Sequence, residues 1–336
     1  MSELHAQLLD WYARHARVLP WRDRYPAGTR DSYRTWLSET LLQQTQVSRG
    51  SVYFAAFIKA FPTVQDLAAA PLEAVLKLWE GAGYYARARN LHAAARVIAL
   101  HGFPTTLEGW RSLPGVGRYT AGAVLSLSCN AALPVVDGNV RRVLARLLLE
   151  PNPTEAWLWT QATTLLHPTR PGAWNEALIE LGAVICTPKK PRCATCPISS
   201  NCMAFNAARV SEIPAPKARI VPQRVHAVAL LVTDGERVYL EQRAPNGLLG
   251  GLHGVPLALI TSTREIALAA LLEHYGLQPS GAWVGRVSHT MTHRQFELEI
   301  YRIAAPKTLP LELPETVALS KLDQKIVALT KLEWLF

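Results

Sequence analysis

The chain has 336 residues and a mass of 37.1 kDa, more than one ordinary hydrophobic core fills and suited to two domains. With 49% hydrophobic and 18% charged residues it is not the composition of a disordered chain, and no apolar run reaches the roughly 18 residues of a membrane span. Its net charge of +9 is uneven: residues 1–224 hold 25 Lys and Arg against 15 Asp and Glu, while residues 225–336 hold 10 against 11, so a polyanionic partner is expected on the first two thirds.

The first twenty residues interleave Glu3, His5, Asp10, Arg14 and Arg17 with apolar ones and offer no unbroken secretory segment, so a cytoplasmic protein is expected. From Ser2 to about Asn206 apolar residues recur at helical spacing, predicting helices over 34–48, 51–60, 72–80, 85–101 and 118–129. Pro62, Pro71, Gly81, Gly83, Pro104 and Pro114 punctuate them. Strand-like alternation is nearly absent here, which makes the region all-α. The stretch 213–224, with Pro214, Pro216 and Pro222 among Lys217, Arg219 and Arg224, reads as a linker. Beyond it Val225–Val232 and Arg237–Arg243 flank Asp234-Gly235 and predict a hairpin. A helix over 263–275 and strands over 283–288 and 296–303 complete an expected α+β domain.

Four of the five cysteines, Cys186, Cys193, Cys196 and Cys202, form a C-x6-C-x2-C-x5-C run whose thiolates can reach one metal centre, either zinc or an iron–sulfur cubane, with Lys189, Lys190 and Arg192 offsetting negative charge. Cys129 reads as a buried apolar residue. In Leu113-Pro-Gly-Val-Gly-Arg-Tyr119, Pro114 closes one helix and Gly115, Val116 and Gly117 form a turn into the next. Such a helix-hairpin-helix aims backbone N–H groups at a nucleic-acid phosphate without reading sequence. Glu39 is the one charged residue of the helical run 36–46, otherwise made of apolar and uncharged polar residues. Asp137 opens a helix rich in Arg and Leu, where its plain role is an N-cap. A carboxylic acid neutralised by burial, paired with a carboxylate kept ionised near a helix start, is what glycosidic cleavage through an oxocarbenium-like state requires.

The segments LLQQTQV, GYYARARNLH, LPGVGRYTAGA and VDGNVRRVLAR, with the cysteine run, resemble the helix-hairpin-helix DNA glycosylases of the endonuclease III superfamily, and among them the adenine DNA glycosylases of the MutY type. Matching motifs cover about Trp11 to Cys202, with weaker ones from Leu230 to His293. The resemblance implies a multidomain chain. Residues 1–212 would form the catalytic region, with a six-helix barrel over about 27–131 and an iron–sulfur domain over about 1–26 and 132–212; residues 213–224 would be a linker and 225–336 a Nudix-like domain. It implies a [4Fe–4S] cluster on Cys186, Cys193, Cys196 and Cys202, and a monomer acting on double-stranded DNA with A opposite 8-oxoguanine or G, without membrane contact. Glu39 would be the acid, Asp137 the support for the cationic sugar, and Tyr119 and Asn139 their positioning groups. Arg17, Trp21 and Glu176 would line the adenine pocket, and Gln44, Thr45 and Tyr84 would fill the stack beside the orphaned base.

Bifunctional relatives carry Lys where this chain has Tyr119, and a phenol forms no Schiff base, so the resemblance implies an abasic product. A mismatch pyrimidine glycosylase shares that tyrosine and is the nearer rival; a non-catalytic iron–sulfur DNA-binding protein is the more distant one. In the C-terminal domain Arg243-Ala-Pro-Asn-Gly-Leu-Leu-Gly-Gly-Leu252 looks like a Nudix motif, yet against the R-E-x-x-E-E-x-G pattern Ala269-Ala270 falls at R-E and Glu273-His274 at E-E, leaving one metal-binding carboxylate. The domain is therefore expected to recognise rather than hydrolyse. The segment from His289 through Met291, Thr292 and His293 matches a loop that reads H-x-F-S-H in relatives and meets 8-oxoguanine; here Thr keeps the hydroxyl and Met replaces the ring. Ala82 stands where many relatives have Leu.

Overall fold

The helical periodicity of the first two thirds is realised as α1 (Ser2–His15), α2 (Ser32–Leu42), α3 (Val47–Ala60), α4 (Val64–Ala69), α5 (Leu72–Leu78), α6 (Ala86–His101), α7 (Leu107–Arg111), α8 (Arg118–Cys129), α9 (Gly138–Leu147), α10 (Glu155–Thr164), α11 (Pro171–Val184) and α12 (Met203–Asn206). The computed structural model describes residues 2–22, 30–216, 221–245, 247, 249–278, 281–291 and 293–331. Its backbone groups into two units, residues 1–69 with 90–218 and residues 70–89 with 219–336. No helix among the described residues is long and apolar enough to cross a membrane.

In the first unit, one core joins α1, α9, α10 and α11 through Leu8, Leu144, Leu158, Trp174 and Leu178, with Cys186, Cys196 and Cys202 packed on its edge. On α9, Val140, Val143, Leu144 and Leu147 are buried at spacings of three and four. Burying each contributes roughly 1.5–3 kcal/mol, which fixes the rotation of the helix and so the direction of its N-terminus. The continuous helix predicted over 34–48 is broken. Gln44 has φ 59°, a left-handed conformation a helix cannot carry through, and Gln43 to Gln46 are four polar residues with no apolar stripe to hold them on the core. Cys129, expected inside, is exposed because α8 ends there, before the left-handed Asn130.

The second unit holds β1 (Gln223–Thr233), β2 (Glu241–Gln242), β3 (His253–Gly254), β4 (Leu257–Leu259), α13 (Arg264–His274), β5 (Ala282–Met291), β6 (Arg294–Ala304) and α14 (Lys321–Val327). A four-stranded sheet runs β4-β1-β6-β5, with β1 and β6 parallel from Gln223 opposite Arg294. Central β1 is buried on both faces: Ala227, Ala229 and Leu231 pack with Leu322 and Ile326 of α14, and Val228, Leu230 and Val232 pack with Ala267 and Leu271 of α13. The predicted hairpin closes for one bridge only, Thr233 opposite Val238. Both edges of β1 are already taken by β4 and β6, so the chain leaves to pair Glu241–Gln242 with His253–Gly254 instead. Ile213 is buried and its carbonyl accepts from Arg146 Nε at 2.8 Å, so the proline-rich stretch is anchored where it begins.

Candidate active site

Three helices of the first unit deliver the two carboxylates and the phenol to one cavity. Asp31 caps α2 by accepting from Tyr33 N–H at 2.7 Å, and tight packing buries nearly every residue of that helix, Glu39 included. The first turn of α8 supplies Tyr119, whose hydroxyl donates to Glu39 Oε2 at 2.6 Å. Asp137 is the N-cap of α9, accepting from Val140 N–H at 2.7 Å and from Asn139 Nδ2 at 2.8 Å. Capping and chemistry are thus compatible at this residue. The cavity measures about 530 Å³ and is lined by Glu39, Tyr119, Asp137 and Asn139 together with Arg17, Trp21, Gln44, Thr45 and Glu176. That volume suits a flipped base with part of its sugar.

Burial lifts the Glu39 carboxyl to about 7; Tyr119's hydrogen bond opposes the shift and the nearby Asp137 and Glu176 charges add to it. Burial also raises Asp137, against the pull of Val140 N–H, Asn139 and Arg142. Asp137 has two N–H donors and a helix N-terminus where Glu39 has one phenol, so its anion is the better stabilised of the two. For Glu176 burial acts upward, but Arg30 and Arg22 outweigh it and hold the group below the usual carboxylate range.

Several groups escape sequence reasoning. Arg22 and Arg30 bind Glu176, and Arg17 and Arg22 bind Glu180 one turn further along α11. The one legible signal is an acidic pair spaced by four in an otherwise apolar helix. Arg142 donates to Asn139 Oδ1 at 2.8 Å, Gly182 O at 2.7 Å and Cys186 O at 2.6 Å, joining the Asp137 end of α9 to the cysteine segment. The cation against a cysteine sulfur is buried Arg146, with Nη1 3.3 Å from Cys186 Sγ. Arg192 instead donates to the Val184 carbonyl. Cys186, Cys193, Cys196 and Cys202 line one small cavity with Arg146, Ile185, Phe205 and Val210.

The remaining sequence-derived residues lie elsewhere. In the second unit Tyr84 and Met291 line a cavity of about 420 Å³ with His289, Arg89 and Lys321. Tyr84 is 46% exposed at φ 50°. His293 is exposed at the turn into β6, and Thr292 lies outside the described residues. At the hairpin, Gly115 has φ 72° and a side chain there would run into Asn90, which accounts for glycine. Gly117 caps α8 without a side chain, leaving its first amides open. Val116 departs from the expected phosphate contact: its N–H is taken by the Leu113 carbonyl at 3.2 Å, and its side chain is buried.

Residues 37–162 match the HhH-GPD superfamily base excision DNA repair protein family and residues 227–329 match the NUDIX domain. Fold and site therefore define a helix-hairpin-helix base excision repair protein with a Nudix-like C-terminal domain. The adenine DNA glycosylase of Rattus norvegicus is 35% identical across 92% of this chain and 72% of its own length, and that of Homo sapiens is 34% identical across 93% and 68%. A solved thermostable thymine-DNA glycosylase is similar with a TM-score of 0.55 and 28% identity, over 61% of this chain and 98% of that one. The chain belongs to the adenine DNA glycosylase family and is an enzyme that excises adenine in base excision repair.

Proposed function

We propose that the enzyme is a monomeric, monofunctional glycosylase that removes adenine opposite 8-oxoguanine or guanine from duplex DNA, working in the cytoplasm on nucleoid DNA and leaving an abasic site. The observation that carries this reading is the buried Glu39–Tyr119 pair sharing one cavity with the capped carboxylate of Asp137. Tyr119 holds Glu39 through Oε2, leaving Oε1 to bear the proton. Glu39 gives that proton to a ring nitrogen of the flipped adenine as the C1′–N9 bond breaks, and the bonding electrons leave with the base. Anionic Asp137, fixed by Val140 N–H and Asn139, faces the cationic sugar. Water then adds at C1′ and returns a proton to Glu39. Base release is measured from duplexes carrying A opposite 8-oxoguanine, A opposite G, T opposite G, and thymine glycol. Adenine alone should appear, faster opposite 8-oxoguanine; released thymine would move the enzyme to the rival class.

Tyr119 bears on the product. A lysine there would put an amine beside the sugar carbon, so Tyr119→Lys should gain strand cleavage and a borohydride-trapped adduct. If nothing is trapped, the phenol is not aligned with the reacting carbon. Phosphate contact is assigned to the open amides of Gly117 and Arg118, with Gly115 shaping the turn and Val116 anchoring it from inside. Gln44, exposed beside Thr45, and Tyr84 on its left-handed turn would fill the space left by the flipped base. The cavity lined by Tyr84, His289 and Met291, bordered by the cations Arg89 and Lys321, would receive the orphan base, with His293 on the adjoining turn.

Cys186, Cys193, Cys196 and Cys202 would hold a [4Fe–4S] cluster. Four thiols round one cavity, with the Arg146 guanidinium against a sulfur and apolar Ile185 and Phe205 shielding them, fit an anionic cluster. When bound it ties the 186–202 segment together and adds one-electron capacity, and base release does not run through it. Purified protein should contain about four iron atoms per chain and absorb broadly near roughly 400 nm. Stoichiometric zinc after anaerobic preparation would assign the site to a single ion.

A further inference from the structure

The carboxylate of Glu176 faces the adenine cavity with three arginine N–H groups already on it. Oε1 accepts from Arg22 Nε at 2.8 Å and Arg30 Nη1 at 2.7 Å, and Oε2 accepts from Arg30 Nη2 at 2.6 Å. The Tyr12 hydroxyl lies near enough to add to the pull that lowers the carboxyl. A carboxylate can take about four hydrogen bonds, so the two guanidiniums leave at most one position open. Glu180, which does not line the cavity, is filled in the same way by Arg17 and Arg22. A base carrying an amino group therefore meets Arg22 and Arg30 already on Glu176 and must compete with them for it. Arg22 is held from two other directions, by Glu180 Oε2 at 2.8 Å and the Arg17 carbonyl at 2.9 Å. Arg30 reaches only Glu176 and Tyr12 among the described residues, and it lines the same cavity.

We propose that Arg30 is a gate on base recognition: in the free enzyme its guanidinium occupies Glu176, and the 6-amino group of the incoming adenine takes its place. The proposal rests on the reading of this cavity as the adenine pocket. It makes Arg30 a residue that moderates specificity, because a base without an N–H donor at that edge can still bind with Arg30 left on Glu176. A base without one leaves a buried acceptor unpaired whenever Arg30 is out.

The test compares adenine with purine, which lacks the 6-amino group, each opposite 8-oxoguanine, in single-turnover rate and affinity under matched salt. Adenine must displace Arg30 and purine need not. Arg30→Ala should therefore raise the adenine-to-purine ratio by about tenfold, the size of one charge-assisted hydrogen bond. Adding Glu176→Ala, which removes the acceptor, should abolish that gain, which a merely structural arginine would not produce. Arg30→Lys keeps the charge but loses the two-pronged grip, and should show a smaller rise in the same direction; it carries the test if the Ala variant does not fold by circular dichroism. An unchanged or lower ratio in a folded variant overturns the gate. If the unaltered enzyme released no adenine from the 8-oxoguanine duplex, the functional reading itself would fail, an outcome distinct from an unmoved ratio.

Discussion

Glu39→Gln is expected to lower single-turnover adenine release by about 10² to 10⁴, the range of general acid catalysis, with duplex affinity largely kept. The amide preserves the shape and the acceptor for Tyr119 but has no proton to give. In the unaltered enzyme the rate should fall as pH rises through about 7, where Glu39 ionises, and fall again on the acid side as Asp137 is protonated. The alkaline fall should be missing from the residual activity of the variant. Stability moves the other way. The Glu39 carboxyl is lifted from 4.5 to about 7 by burial, so its contribution is full below about 4.5 and is lost as pH rises through about 7. A glutamine suffers no such loss. The variant should therefore gain on the native protein by about 2 to 3 kcal/mol between about pH 5 and about pH 8, measured by denaturant unfolding. A near-normal rate would remove Glu39 from the acid role. A pH-independent stability difference would mean that it is not buried as a neutral acid.

What could be read from the sequence depended on whether a group's partners lie nearby along the chain. The cysteine run is local, so its shared cavity follows from spacing alone, and Asp137 announces its cap because Val140 is three residues away. Glu39 stood out through contrast, as the lone carboxylate in a helix that packs on nearly all sides. The arginines that set the pocket's electrostatics could not be found that way. Arg30 and Arg22 meet Glu176 from 146 and 154 residues away, and in sequence each is one basic residue among many. The hairpin after β1 failed for a related reason: Asp234-Gly235 does turn the chain, but strand pairing was decided by β4 and β6, which local turn chemistry does not encode. Val116 shows the limit at smaller scale, since a turn motif predicts open amides and the turn closed one of them.

Gly182→Ala is expected to cost both rate and stability, although alanine is favoured over glycine by about 1 kcal/mol inside a helix. A Cβ at 182 would sit 2.6 Å from Asn139 Cβ, 3.0 Å from its Cα and 3.1 Å from its carbonyl carbon. These are backbone and first-carbon atoms in the opening turn of α9, so no side chain can rotate aside. Overpacking of this kind costs about 1–3 kcal/mol, which exceeds the gain in helix propensity. The displacement would reach the chemistry directly. Asn139 Nδ2 holds Asp137 at 2.8 Å, and Arg142 holds Asn139 and the Gly182 carbonyl at once, so α9 cannot back away from α11 without moving the Asp137 carboxylate proposed to face the sugar. Misplacing a reacting group by about 1 Å can cost about 10²-fold in rate. The variant should therefore show a rate loss near that size and a melting temperature lower by a few degrees. A raised melting temperature with normal adenine release would mean that helix propensity wins, and that the close approach of α9 to α11 is not what holds Asp137 in place.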